Sequence, residues 1–388
     1  MELTPCRYQA SKKIAQAIFS GHPWVYRSRL SSAIDAIPPG SFVKIVDGGN
    51  KFIAYGINET RGIVGLSILS RDEKFGFDSL LDRLREVSNR KKGLFGGERS
   101  AYRLLNGEAD GFPGLACDVY SDSVIWQPYL SFWDAIIPHF TGEVDPILGT
   151  SGHLLKYPAH RNEENPCRTL AGEVKEPIVF SEGGIEFHSF PYTGQKTGFF
   201  LDLREVRKFL PDILTAGNSV LNCFSSSGAF SIIAKANGAS TVISVDSDSK
   251  CREQLEGQLK QNNMPPTENE FIKDNVFEYL VEAKLLPERY GLVILDPPNM
   301  CTKASSLKPA LKGWQKLASS ALPLVKPGGH LLLINCSSFM TREMCEKSLK
   351  SMEANITIEK SGGLPKDHTV SRTFPEGDYL KWWLYKTR

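Results

Sequence analysis

The sequence predicts an α/β protein whose C-terminal half is a doubly wound, mostly parallel sheet, preceded by a small β-rich module and a central α+β segment. Three observations carry that expectation. From about residue 215 onwards, short apolar runs alternate with helix-patterned stretches. Residues 40–70 instead read as short strands cut by glycines. Between these regions, Leu80, Leu81, Leu84 and Val87 recur at helical spacing among charges.

In the first module, Ser41-Phe42-Val43-Lys44-Ile45-Val46 and Lys51-Phe52-Ile53-Ala54-Tyr55-Gly56 flank Asp47-Gly48-Gly49, a hairpin signal, and Ile63 to Leu69 supplies another strand. A helix follows over 78–92, and the Gly-, Pro-, Glu- and Asn-rich stretch from about 141 to 178 reads as a loop-heavy connection. The expected domains are therefore 1–73, 74–178 and 179–388. In the last of these, Ser219 to Cys223 is a strand, Phe230 to Ala236 a helix, Thr241 to Asp246 a strand and 249–262 a polar helix. Tyr290 to Leu295 and His330 to Ile334 are further buried-type strands.

Composition narrows the class. Hydrophobic content of 41% and charged content of 23% describe an ordinary soluble globular protein. No apolar run approaches the ~20 residues that a membrane span needs, and Met1 to Phe19 is too polar for a secretory signal. Eight cysteines occur without CxxC pairs, so neither a disulfide scaffold nor a zinc site is expected, and free thiols suit a cytoplasmic location. A net charge of +2 does not by itself imply nucleic acid. Residues 1–73 carry a surplus of three basic groups, Arg61 among the nine counted. A small basic module can contact phosphates, but on charge alone a solvated surface with a chance excess is the preferred reading.

Doubly wound sheets bind ligands at the C-terminal ends of their strands, so the residues that directly follow strands are the informative ones. After the first comes Asn222-Cys223-Phe224-Ser225-Ser226-Ser227-Gly228, small enough to let backbone approach a ligand, and not the GxGxxG of a dehydrogenase. Asp246 ends the second strand, where a carboxylate can accept hydrogen bonds from both hydroxyls of a ribose. Near the third strand end, Asp274 or Asn275 can accept the exocyclic amino group of an adenine. The fourth strand delivers Asp296-Pro297-Pro298, whose prolines hold a rigid segment and whose Asp can bind the amide-like edge of a flat base. The fifth ends at Cys336, which a neighbouring parallel strand brings to the same rim as Asp296. A thiolate there can act as a covalent nucleophile, whereas Cys117, Cys223 and Cys251 read as small buried hydrophobes.

These residues resemble the bacterial large-subunit (23S) ribosomal RNA cytosine-C5 methyltransferases over nearly the whole chain. His22-Pro23-Trp24-Val25-Tyr26 looks like that family's opening PUA motif. Arg103-Leu104-Leu105-Asn106-Gly107-Glu108-Ala109-Asp110-Gly111 resembles its central signature. Gln195-Lys196-Thr197-Gly198-Phe199-Phe200-Leu201-Asp202 is similar to the segment that closes over the cofactor. The resemblance implies a Rossmann-like class I methyltransferase sheet, a PUA-like RNA-binding domain, S-adenosyl-L-methionine as cofactor and ribosomal RNA as substrate. It implies neither a metal nor a membrane, and a homodimer is a possible assembly. Lys196, Thr197, Gly198, Phe200, Asp202, Phe224, Ser225, Gly228, Asp246, Asp274, Asn275 and Asp296 would hold the cofactor.

The implied mechanism has the Cys336 thiolate add to carbon 6 of cytosine, so that carbon 5 becomes the nucleophile, while Asp296 binds the ring near N3. Glu376, in Phe374-Pro375-Glu376-Gly377-Asp378-Tyr379-Leu380-Lys381, is either the proton acceptor or a brace for the final hairpin. Some positions depart from the family pattern. Ser226-Ser227-Gly228-Ala229 stands for an aromatic-Thr-Gly-Gly turn, Asn275 for a second Asp, Asn299-Met300 for Lys-Phe, and Ser338 for Gly. Two rival readings remain: a guanine- or nitrogen-directed methyltransferase, for which Cys336 has no use, and a non-catalytic RNA-binding assembly factor.

Overall fold

The computed structural model describes residues 1–59, 62–159, 161, 164, 166–267 and 270–388; Arg61, counted in the basic surplus, lies outside them. The chain forms two compact units, the first of Met1–Ser181, His188–Leu201 and Lys366–Gly377, the second of Glu182–Phe187, Asp202–Pro365 and Asp378–Arg388. This division differs from the expected boundaries: residues on both sides of 73/74 share the first unit, and part of the expected catalytic segment joins them.

The first unit opens with β1 (Cys6–Gln9), α1 (Lys12–Phe19), β2 (Trp24–Tyr26), β3 (Phe42–Val46), β4 (Phe52–Asn58) and β5 (Val64–Ser70), arranged β1-β3-β4-β5-β2. The expected hairpin is β3–β4. In its turn the Asp47 carboxylate accepts hydrogen bonds from the N–H groups of Gly49 (2.8 Å) and Lys51 (2.9 Å). Ser11 caps α1 by accepting from Ile14 N–H, and Ile14 and Ile18 bury against Val43, Ile45, Ile53 and Leu66.

A second sheet, ordered β10-β9-β8-β7-β6, is built from β6 (Ala101–Asn106), β7 (Leu115–Tyr120), β8 (Ser123–Pro128), β9 (Gly152–Lys156) and β10 (Cys167–Ala171), with helices α2 (Phe77–Phe95) and α3 (Trp133–Leu148). Its core of Leu80, Leu84, Trp126, Trp133 and Phe140 is continuous with Phe42, Tyr55, Ile57 and Leu69 of the first sheet. That shared core is why residues before and after 73 fold as one unit. The loop expected over 141–178 is instead the end of α3 followed by β9 and β10. Prolines 138 and 146 and Gly142 sit inside α3, and the fully covered Leu154 and Leu155 recruit β9 to the sheet. Tertiary burial there overrides the local breaker signal.

The second unit carries a seven-stranded sheet. The two-stranded pair β11 (Ile178–Glu182) and β12 (Ile185–Ser189) precedes it in the chain, and the second unit comprises α4 (Arg204–Ile213), β13 (Ser219–Cys223), α5 (Ala229–Ala236), β14 (Thr241–Asp246), α6 (Lys250–Gln261), β15 (Phe271–Lys273), α7 (Val276–Ala283) and β16 (Tyr290–Leu295). α8 (Leu307–Ala321), β17 (Val325–Asn335), α9 (Arg342–Ser348), β18 (Ile356–Gly362) and β19 (Lys381–Thr387) complete it. The order is β15-β14-β13-β16-β17-β19-β18; the first five strands are parallel and β19 runs antiparallel to both of its neighbours. The order reverses between β13 and β16, which makes the ends of those strands the ligand-binding rim.

Buried charge fixes the first unit internally. Lys91 donates to the Asp110 carboxylate at 3.1 Å, to Thr369 Oγ1 at 3.1 Å and to the Asp367 carbonyl, with Lys91 only 2% exposed. Arg90 holds the other Asp110 oxygen at 3.1 Å. Replacing Lys91 by Met leaves a buried carboxylate with one cation fewer, and removing one partner of a buried pair costs about 3–5 kcal/mol. Lys91→Met should destabilise the protein by about 3 kcal/mol, the lower end because Arg90 stays, measurable as a lower denaturant midpoint at unchanged slope.

Candidate active site

The turn after β13 is strained in a way that exposes backbone. Phe224 and Ser226 adopt left-handed φ angles of 59° and 49°, and Gly228 follows at 86°. Non-glycine residues in that region cost on the order of 1–2 kcal/mol each, and such strain concentrates at ligand sites. A Cβ on Gly228 would stand 2.4 Å from Leu255 Cδ1 of α6, so the position has both a conformational and a steric need for glycine. Among the described residues, the buried Ser225 hydroxyl has no hydrogen-bond partner, as a ligand-facing group would be before its ligand arrives. Asp246, at the tip of β14, accepts from Ser226 N–H at 2.9 Å and Asp248 N–H at 3.1 Å, which points its carboxylate along the same turn. This donor and acceptor set fits a ribose-bearing cofactor.

The two candidates for the adenine edge separate. Asn275 is the N-cap of α7, its side-chain oxygen accepting from Phe277 N–H at 2.9 Å. Among the described residues, the Asp274 carboxylate accepts from the adjacent Asn275 N–H at 2.7 Å and from no other group. Capping explains Asn275 without a ligand, so Asp274 is the better placed acceptor.

On the other side of β13, Leu295 of β16 pairs with Cys223 and with Leu333 of β17. The residues that follow therefore meet: the Cys336 sulfur lies 3.9 Å from the Pro297 carbonyl oxygen, beside Asp296. The turn carrying Cys336 is held at three points. Asn335 Oδ1 accepts from Ser337 N–H at 3.0 Å, Ser337 Oγ donates to the Cys301 carbonyl at 2.8 Å, and the buried Lys381 donates to the Ser337 carbonyl at 2.8 Å. Cys336 is partly exposed, whereas Cys117, Cys223 and Cys251 are buried with thiols pushed up by burial, Cys251 to about 12. An opening of about 290 Å³ adjoins the rim, lined by Phe277, Pro297, Pro298, Asn299, Met300 and Pro309.

The remaining expected residues fall into the two units. Lys196, Thr197, Gly198 and Phe200 belong to the first. The Thr197 hydroxyl is fully buried, donating to Asp118 at 2.5 Å and bonded to the Tyr120 hydroxyl at 2.9 Å. At Gly198 (φ 116°) a Cβ would lie 2.4 Å from Ser189 Oγ and 2.8 Å from Phe190 N. These two residues shape the loop, while Lys196 lies over the Phe200 ring at 4.8 Å. Asp202 is in the second unit and accepts from the Tyr379 hydroxyl at 2.7 Å. Glu376 is in the first unit, away from the final hairpin in its bonding: it accepts from the Tyr26 hydroxyl at 2.8 Å, with His22 Nε2 at 3.3 Å. The His22 and Tyr26 of the opening motif thus have a structural partner that sequence reading did not foresee. Among the described residues, no group of three His, Cys, Asp or Glu side chains could hold a metal ion, and no helix is long and apolar enough to cross a membrane.

A doubly wound sheet with a strained glycine turn after its first strand, an acid at the tip of the second and the Asp-Pro-Pro and cysteine turns at the ends of the fourth and fifth has the layout of a protein that binds a nucleoside-bearing cofactor. Comparison with known proteins makes that class specific. Residues 146–357 match the family described as S-adenosylmethionine-dependent methyltransferase, and residues 11–70 match a PUA-like domain. The chain belongs to that methyltransferase family, and S-adenosylmethionine is its cofactor. It is 31% identical to a ribosomal RNA large subunit methyltransferase of Deinococcus radiodurans, covering 97% of this chain and 96% of that one. It is 27% identical to ribosomal RNA large subunit methyltransferase I of Serratia proteamaculans, covering 94% and 95%. Among solved structures, a SAM-dependent methyltransferase of Streptococcus mutans superposes with a TM-score of 0.83 at 22% identity, over 98% of this chain and 99% of that one. Another chain, solved complexed with SAH, gives 0.85 at the same identity and coverage, and both establish the fold.

Gly228→Ala should weaken binding of S-adenosylmethionine by at least about tenfold in calorimetric titration, because the turn must open to admit a Cβ. Adding Leu255→Ala removes the atom that the new Cβ strikes and should recover part of the loss. A second expectation concerns Glu376. Burial raises its carboxyl, but its backbone hydrogen bond, Tyr26 and His22 lower it more, so it sits below the ordinary value. A depressed carboxylate contributes stability above its unfolded pKa of about 4.3 and loses it as pH falls through the lower folded value. With the side chain 33% exposed, Glu376→Gln should cost under about 1 kcal/mol near neutrality. That difference in melting temperature from wild type should shrink below about pH 4.

Proposed function

We propose that this chain methylates carbon 5 of a cytosine in large-subunit ribosomal RNA, with Cys336 as the covalent nucleophile. The observation that carries the reading is the meeting of Cys336 with the Asp296-Pro297-Pro298 segment, sulfur to Pro297 carbonyl 3.9 Å, at the rim of the cofactor-binding sheet. The large-subunit RNA substrate is inferred from the names of the relatives, supported by the PUA-like domain. In this reading the activity is cytoplasmic.

When bound, the cofactor supplies an electrophilic methyl group. The rest falls to the protein. Carbon 5 of cytosine is too weak a nucleophile until the ring is made electron-rich. The Cys336 thiolate forms a bond to carbon 6, and the displaced electron pair is delivered through carbon 5. Asp296, acting as the neutral acid, donates a hydrogen bond to the ring at N3, where negative charge accumulates. Once carbon 5 is methylated, a base removes its hydrogen as a proton; the electron pair left behind re-forms the 5,6 double bond and expels Cys336 as thiolate. Pro297 and Pro298 keep the segment rigid, so its carbonyls do not fold back onto the base. The target must be unpaired or flipped, at a cost of a few kcal/mol, and the PUA-like domain would contribute backbone and shape contacts.

On the cofactor side, the reading assigns Asp246 to the ribose, Asp274 to adenine and Phe224, Ser225 and Gly228 to the turn against the cofactor. Asp202 belongs to the same unit as that turn; the resemblance also implies Lys196 and Phe200 as cofactor residues, and within the first unit Thr197 and Gly198 keep their loop in shape. Glu376 is bonded to Tyr26 and His22, which favours bracing of the opening motif, in place of the final hairpin, over proton abstraction.

Incubating the protein with labelled cofactor and unmodified ribosomal RNA tests the proposal. Wild type should place label on cytosine C5, and Cys336→Ala should lose at least about 10³-fold of the rate, the scale on which removing a covalent nucleophile acts. Label at C5 from both proteins would sink the covalent step; label on a guanine nitrogen would sink the substrate. No transfer to naked RNA, subunits or ribosomes would favour an assembly factor.

A further inference from the structure

Lys381 closes the motif around Glu376 and plays no part in the reading above, yet it is a buried cation bonded to the turn that carries Cys336. It opens β19, and its Cα pairs in register with Asn335, the residue before Cys336. Its side chain then turns back to the residue after Cys336, Nζ donating to the Ser337 carbonyl at 2.8 Å and to the Tyr379 carbonyl at 3.3 Å. Cys336 is therefore bracketed by one lysine, through backbone pairing before it and a charged hydrogen bond after it. Lys381 is only 6% exposed, and a lysine so placed needs a reason, because burying an ammonium is costly without compensation.

The groups that face it define that compensation. Asp378 comes from the preceding loop, Arg342 and Cys345 from α9, and Cys336 from the turn after β17. Burial lowers the Lys381 pKa, Asp378, Cys345 and Cys336 raise it, and Arg342 lowers it. Cys345 is itself buried, its thiol pushed up to about 12, and so is neutral at ordinary pH. That leaves Cys336 as the partly exposed thiol that can become an anion beside this cation.

We propose that Lys381 is the positioning residue of the thiol: it locks the Cys336 turn by its bond to Ser337 and holds the sulfur as thiolate by its positive charge. An adjacent cation in a poorly solvated site favours the charged form of a thiol. The cost of burying Lys381 is then offset most fully when the thiol ionises. This inference rests on Cys336 being the nucleophile but acts on the thiol before any RNA binds.

The test follows alkylation of each cysteine by iodoacetamide as a function of pH, in the full chain, by mass spectrometry. Wild-type Cys336 should titrate at least one unit below the ordinary thiol value of about 8.5. Lys381→Met, which keeps the stem and removes the charge, should raise that value by about one unit, a drop of about tenfold in thiolate near neutrality. Lys381→Arg should stay close to wild type. Cys6 and Cys167, partly exposed in the first unit, serve as controls that should not move. The proposal is overturned if wild-type Cys336 titrates at or above about 8.5, a result that needs no variant to fold. It is equally overturned if Lys381→Met superposes on wild type, or if Arg shifts the profile as far as Met. Because no methyl transfer is read, a lysine-dependent thiol alongside C5 label from Cys336→Ala would fell the covalent mechanism and leave this inference standing.

Discussion

The chemistry of this chain depends on the register of one strand. Leu295 of β16 stands between Cys223 of β13 and Leu333 of β17, hydrogen-bonded into the sheet on both sides. A shift of one residue would turn every side chain to the opposite face. The Asp296 side chain would then face the other way from the turn after β13 and from the cysteine turn. The register is secured by burial: Val293, Leu295, Leu331 and Leu333 have no exposed surface and share one core with Trp314 and Trp383. The apolar interior of the sheet is thus what gives polar residues at its edge fixed relative positions.

The antiparallel strand β19 extends this logic. It covers the flank of β17 along six paired positions, from His330–Lys386 to Asn335–Lys381. It also delivers Lys381 to the cysteine turn, while Tyr379, just before it, reaches Asp202. The chain leaves the second unit at Lys366, lies in the first unit through Gly377, and returns at Asp378. Within the first unit that excursion is anchored by Asp367 and Thr369 on Lys91 and by Glu376 on Tyr26. One short stretch of sequence therefore supplies anchors in one unit and the cation beside the thiol in the other.

The turn after β13 shows how a departure from a family pattern can be structurally neutral. Serines at 226 and 227 replace larger residues, yet Gly228 still takes the left-handed angle that the close approach of Leu255 demands. Asp246 fastens Ser226 by its N–H, a bond that any non-proline residue at that position could make. Asn275 is another matter, because the side chain that differs from the family is here occupied as a helix cap.

By itself the sequence determined the strands, their alternation with helices and the residues at their ends, because period and strand-end chemistry are local signals. The hairpin around Asp47, the helix over 78–92, the strands β13, β14, β16 and β17 and the helices α5 and α6 were legible in that way. So were Asp246 and Asp296, each directly following an apolar run, and Cys336, one residue beyond another. Tertiary structure alone decided what depends on partners distant in sequence. It turned the proline-rich 141–178 into helix and strand by burying Leu154 and Leu155. It merged the first two modules through a common core, and it gave Thr197 to Asp118 and Tyr120. It tied Glu376 to Tyr26 across 350 residues and set Lys381 against the cysteine turn across 44. A side chain's role is readable from sequence where its neighbours are local; these partners are chosen by packing, and packing is a property of the folded chain.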